Sequence, residues 1–234
     1  MKKVILLVMS LCFVIMCVSF ASAEGSNNVL ITFRGIEWGT PVGDISDKIP
    51  DGVKFFNPDL VSQLVSAKNF LYDGNNDYYK GPVAYSVSAR SSSLKNMKVA
   101  GYEVSGMYMY FAIVPGADGL PTENVSDSAL VMAYYKIEPK DPDAAYEDLC
   151  TKLTGLYGDA DYSYEKSPYI TYKYTVWYGS DGSAVSLVKE DYPSGSHYIY
   201  IKYAAANADE VLKKAYDALV LKESKEAASN VDGL

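Results

Sequence analysis

Two stretches of this chain alternate between apolar and polar residues, and each is flanked by segments with helical spacing. The first runs from Val83 to Ile137. Within it VAYSVSAR, KVAGYEV, GMYMYFAIV and SALVMAYYKI have the period of two and the valine, tyrosine and methionine content of strands. In the third of these, Met107, Met109, Phe111 and Ile113 share one face and Tyr108, Tyr110 and Ala112 the other. The second stretch is a tyrosine-rich meander, Tyr169 to Tyr203. It reads YITYKYTVWYG, SAVSLVKED and SHYIYIKYA, with turns at Gly179–Gly182 and Pro193–Gly195. Between the two, Asp141-Pro142 announces a helix. Tyr146, Leu149, Cys150, Leu153, Leu156 and Tyr157 form its 3.6-period stripe, and Gly158 ends it. Asn207 with Glu210 opens a last helix whose apolar side is Val211, Leu212, Ala215 and Leu219.

The N-terminal part is weaker in pattern. Val29 to Phe33 is a short β-type run. Thr40-Pro41 predicts a short helix that Pro50 stops, with Trp38 packing against it. Asn57-Pro58 repeats the signal ahead of DLVSQLVSAK, where Leu60, Val61, Leu64 and Val65 predict a second short helix. Tyr72 to Pro82 reads as a polar loop. Asp73, Asn75 and Asp77 resemble the opening of a calcium loop, but Tyr78 and Ala84 stand where its glycine and glutamate belong. The strand runs follow one another through turns too short for parallel crossovers, so the expected class is α+β, with antiparallel sheets packed against short helices. Residues 29–140 and 141–222 are candidate similar units, or parts of one shared sheet, and 223–234 is a polar tail.

Residues 1–23 have the form of a signal peptide: Lys2-Lys3, an apolar run from Val4 to Phe20, and Ala21-Ser22-Ala23, with cleavage expected after Ala23. Cys17 is a poor lipid-anchor site because Met16 is not small. No transmembrane segment is expected in the mature chain, which is expected to be secreted or periplasmic. Loss of Lys2 and Lys3 takes the formal net charge from −8 to −10, and only Arg34 and Arg90 supply guanidinium groups. That balance argues against nucleic acid as a partner. Cys150 is the only cysteine left, so no internal disulfide forms, and it is expected to be a buried, inert thiol. His197 has no second histidine or cysteine with which to hold a metal. The sequence therefore predicts no metal site and no cofactor.

Two passages, FRGIEWGTPVGDI and the helix ending in LYGDA with the strands that follow it, resemble small secreted bacterial modules that pair helices with a curved antiparallel sheet. The β-lactamase inhibitor proteins and the small outer-membrane assembly lipoproteins are of this kind. The resemblance implies an architecture and a non-enzymatic role, and it assigns no site residue.

No G-x-S-x-G, H-E-x-x-H, Walker or G-x-G-x-x-G pattern is present, and no catalytic residue is assigned. The acid pair Glu190-Asp191 reads as part of a hairpin turn, and Asn124-Val125-Ser126 as a chance glycan acceptor. The outstanding feature is 22 tyrosines in 234 residues. Tyrosine suits a contact surface because its ring packs while its hydroxyl stays wet. Alternation in the meander places Tyr172, Tyr174, Val176, Val185, Leu187, Ile199, Ile201 and Tyr203 toward the core. The opposite side then carries Lys173, Trp177, Tyr198, Tyr200 and Lys202, an aromatic and basic strip on an acidic chain. The expected function is a secreted, non-catalytic binding or interaction module with a protein or carbohydrate partner. An envelope assembly scaffold and a polysaccharide hydrolase are the alternatives.

Overall fold

A computed structural model describes residues 29–231 apart from 50–52, 56, 73–77, 91, 95 and 167–169. The expected signal segment and the calcium-like residues 73–77 lie outside the described residues. The class is α+β. Nine strands form one antiparallel sheet: β1 (Asp59–Val65), β2 (Tyr78–Arg90), β3 (Lys98–Val99), β4 (Tyr102–Ala112), β5 (Ala129–Ile137), β6 (Tyr162–Lys166), β7 (Thr171–Tyr178), β8 (Ala184–Asp191) and β9 (His197–Ala204). Their spatial order is β1-β2-β4-β5-β9-β8-β7-β6, with β3 paired to β4. The stretches on either side of residue 140 thus share one sheet, joined where β5 pairs β9 from Met132↔Ala204 to Ile137↔Ile199. Three helices pack on it: α1 (Ala67–Tyr72), α2 (Pro142–Tyr157) and α3 (Ala208–Val231).

Helix α2 forms as its sequence predicts. The Asp141 carboxylate accepts from the N–H of Ala144 at 3.0 Å, Pro142 opens the helix, and Gly158 closes it at φ +87°. Its buried face, Ala145, Tyr146, Leu149 and Leu153, lies over β7, β8 and β9. The N-terminal segment covers the rest of that face with Ile31, Phe33, Ile36, Ile45 and Ile49. We call this the α2 face. On the other side α1 lies over β8 and β9 and α3 over β2, burying Phe70, Leu71, Leu212 and Ala215 against Val83, Ala112, Met132 and Ala204.

Four local expectations are corrected. Residues 59–65 are strand β1, not a helix. Leu60, Val61, Leu64 and Val65 have helical spacing, but the run is only seven residues long and pairing with β2 overrides it, leaving Leu60 54 % exposed. Residues 42–48 form a 3-10 helix, and the Thr40 hydroxyl donates back to the Glu37 carbonyl at 2.7 Å instead of capping it. The expected loop through Pro82 is strand from Tyr78 onward. A bulge at Gly81-Pro82 lets the strand continue, with Gly81 at φ +95° beneath Leu219 of α3. Finally, α3 continues through residue 231, so the start of the polar tail is helical. Lys213–Asp217 and Lys214–Glu210 pairs one turn apart support this polar helix.

Candidate functional site

The predicted strip does not lie on one face. Register pairs Trp177 with Val185 and Val185 with Tyr203, which places Trp177 on the α2 face at 0 % exposure. Lys173 is on that face too. Its ammonium sits 4.6 Å from the Tyr146 ring centre and 2.5 Å from the Glu147 carboxylate. The inward assignment of Tyr172, Tyr174 and Val176 alongside Val185 and Leu187 is therefore reversed. Alternation separates two faces but does not say which one a helix will cover. Here α2 matches the polar residues one by one: Tyr146 bonds the buried Thr175 hydroxyl at 2.8 Å, and Glu147 meets Lys173. A face that looks polar in sequence is thereby covered, with Thr175 and Trp177 buried and Lys173 at the rim.

Tyr198, Tyr200 and Lys202 do lie together, on the face shared with α1 and α3. The Lys202 ammonium is 5.6 Å from both the Phe70 and Tyr200 ring centres, and its residue is 7 % exposed. Tyr200 meets Tyr134 edge-on at 5.8 Å and Tyr198 at 6.3 Å, and the Lys136 ammonium lies 3.7 Å from the Tyr198 ring centre. Tyr134 stacks on Tyr108 at 4.6 Å. Gly106 makes room for that stack, since a Cβ there would approach the Tyr108 ring to 3.0 Å. Burial pushes the Tyr110 and Tyr134 hydroxyls up, so they stay protonated.

The same face opens into a cleft where α1 meets the sheet edge. It has a volume of about 380 Å³ and is lined by Lys68, Asn69, Tyr72, Asp161, Tyr162, Tyr174 and Tyr178. The Tyr72 ring stands edge-on to Tyr162 and Tyr174, each at 5.7 Å, and its hydroxyl bonds that of Tyr178. Asp161 accepts from the Tyr178 backbone N–H at 2.9 Å, which fixes the start of β6. Tyr162 and Tyr164 stack at 6.5 Å and are 45 % and 47 % exposed. Burial, with Tyr162 acting the same way, pushes the Tyr174 hydroxyl up to about 12. A smaller hollow of about 230 Å³ shares Lys68, Tyr72 and Tyr178 and runs toward Ala204 and Asp209. β6 is the last strand of the sheet, and among the described residues no strand pairs with its outer edge. Sequence reasoning passed over Tyr72, Tyr162 and Tyr164. The alternation in DYSYEK was the available signal for the latter two.

The remaining reactive groups are engaged structurally. His197 Nδ1 lies 2.8 Å from Asp191, which also pairs with Lys189 at 2.8 Å, and Lys189 bonds Asp143 at the start of α2. Glu190 and Asp191 end strand β8 instead of forming a turn, and alternation sends them to opposite faces, where Glu190 accepts from the Tyr192 hydroxyl at 2.7 Å. Cys150 is half-buried, not buried, and desolvation pushes its thiol up, away from the thiolate form. Among the described residues no three His, Cys, Asp or Glu side chains are grouped to hold a metal ion, and no helix is long and apolar enough to cross a membrane. No family model, curated protein or solved structure matches this chain.

Proposed function

We propose that this chain is an exported, non-catalytic binding module that holds a protein partner along the β6 edge and in the tyrosine cleft behind it. The observation that carries this reading is the juxtaposition of an outermost strand with a cleft built from four tyrosines. An extended peptide added beside β6 gains main-chain hydrogen bonds, and alternate side chains drop toward the sheet face. Tyrosine rings then supply contact area at low entropic cost, as they do at interface hot spots. Lys68, Asn69 and Asp161 at the rim give the polar contacts that fix register.

Selection of a displayed peptide library on the immobilised chain, run beside a glycan array, tests this. The expected result is a family of extended peptides whose binding is lost in Tyr162→Ala and Tyr174→Ala while both variants keep a cooperative thermal transition. Binding to glycans alone overturns the protein-partner reading. Peptides that bind both variants as well as the parent chain overturn the placement of the site.

A further inference from the structure

A second hollow lies on the opposite, α2 face of the sheet and is independent of the cleft. Phe33 and Ile36 pair across a two-residue turn whose central residues, Arg34 at φ +59° and Gly35 at φ +73°, are both left-handed. Turns of this kind favour asparagine, aspartate or glycine first, so an arginine there holds an unfavourable conformation. The Phe33 ring anchors the turn between Tyr135 at 4.8 Å and Tyr203 at 5.5 Å. Arg34 is thereby set at the mouth of a pocket of about 390 Å³ walled by Thr32, Val99, Tyr135, Tyr157 and Tyr203. One guanidinium N–H donates to the Tyr135 hydroxyl at 3.3 Å. Among the described residues no carboxylate lies within ion-pair distance of Arg34.

We propose that this pocket binds a carboxylate-bearing small molecule, with the Arg34 fork on the carboxylate and the ring walls around its organic body. The guanidinium has further N–H donors to give, and the phenol hydroxyls of Tyr135 and Tyr157 add more, while that of Tyr203 is hydrogen-bonded to Tyr157 and holds it in place. A pocket rich in donors is the complement of an anion. A single arginine balances one negative charge, which fits a carboxylate better than a phosphate dianion, and the planar fork matches a carboxylate in two bonds. The lining is mainly polar, and the ring faces with Val99 supply a smaller apolar part, which suits a compact ligand with a small apolar body. Burial pushes the Tyr135 hydroxyl up to about 12, so it remains a donor through neutral pH.

The probe is sodium benzoate, with inorganic phosphate as the comparison anion. Ring signals of Tyr135, Tyr157 and Tyr203, assigned by tyrosine-to-phenylalanine variants, are followed by NMR during each titration of the chain. Benzoate is expected to give saturable shifts with a millimolar midpoint. Arg34→Lys is expected to weaken binding about tenfold, as loss of a two-pronged charged hydrogen bond does. Arg34→Gly should abolish binding without unfolding the chain, because glycine accepts the turn's φ freely. Absence of a saturable shift, tighter binding of phosphate than of benzoate, or unchanged binding by Arg34→Gly would each overturn the proposal.

Discussion

On the α2 face, Trp177 and Tyr146 are sealed. On the opposite face, Tyr108, Tyr134, Tyr174 and Tyr200 are left half-covered. The strands are the same, so the sheet does not make this difference; the covering does. α2 spans 16 residues and presents a hydroxyl or carboxylate to the polar side chains beneath it. α1 has six residues and reaches about 9 Å along its axis. α3, though long, lies mainly over β2 and touches β4 and β5 only lightly, and β8 and β9 are left to α1. Tyrosine rows suit the half-covered region because rings can pack on one another while hydroxyls that lose water, such as those of Tyr110 and Tyr134, bond each other. Burial is thus decided by which helix a face receives, and a face that is polar in sequence can be the more deeply buried.

Paired substitutions on the two faces test that contrast most strongly. Trp177→Ala should cost about 3–5 kcal/mol in denaturant unfolding, the usual range for a buried large aromatic, whereas Tyr174→Ala should cost about 1–2 kcal/mol. Equal costs would refute the contrast. Trp177→Phe should be much milder than Trp177→Ala, since the indole N–H has no hydrogen-bond partner among the described residues.

The Lys189 network comes next. Desolvation pushes the Asp191 carboxyl up, but its bonds to Lys189 and His197 outweigh that and hold it below the ordinary 3.8. A carboxyl lowered on folding adds stability that is complete above its unfolded value and fades as pH falls through the folded one. Asp191→Asn should therefore cost about 1–2 kcal/mol at neutral pH and flatten the acid limb of stability below about pH 4, read from melts across pH. A loss that persists unchanged into acid would remove the ion pair as its cause.

Arg34→Gly should raise stability by about 1 kcal/mol, because glycine carries no penalty in the left-handed region. An unchanged or lower melting temperature would show that the turn is not strained. The smallest stability effect is expected for Tyr162→Ala and Tyr164→Ala, within about 0.5 kcal/mol, since both side chains are about half exposed at the sheet edge. Their effect should appear in partner binding, as a loss of about tenfold or more.

Much of the architecture was legible in the chain. The alternating runs became β2, β4, β5, β7, β8 and β9, and the Asp141-Pro142 to Gly158 signals became α2 with its cap. Local chemistry suffices where a cap, a turn and a period agree. It failed at Asp59–Val65, where pairing with β2 overrode the helical spacing of a short run, and at Gly81-Pro82, where a bulge rescued a strand that proline normally ends. It also failed on β7, because the choice between faces belonged to α2. The cleft and the Arg34 pocket were hidden for a related reason. Each gathers residues about a hundred or more positions apart, such as Tyr72 with Tyr178 and Arg34 with Tyr203, and no spacing rule reaches that far.

The β5–β9 seam has a consequence for how the chain reaches this state. Apart from it, the strand pairs of the sheet join strands that are close in sequence: β1, β2, β3, β4 and β5 in one half, β6 to β9 in the other. Such pairings form early, while a contact between Tyr135 and Ile201 must wait for a long loop to close. Until then β5 and β9, two of the most apolar strands, are both open edges in partly folded halves. Cutting the chain near residue 140 would freeze that moment, giving two fragments that stick to themselves unless mixed before either is allowed to fold.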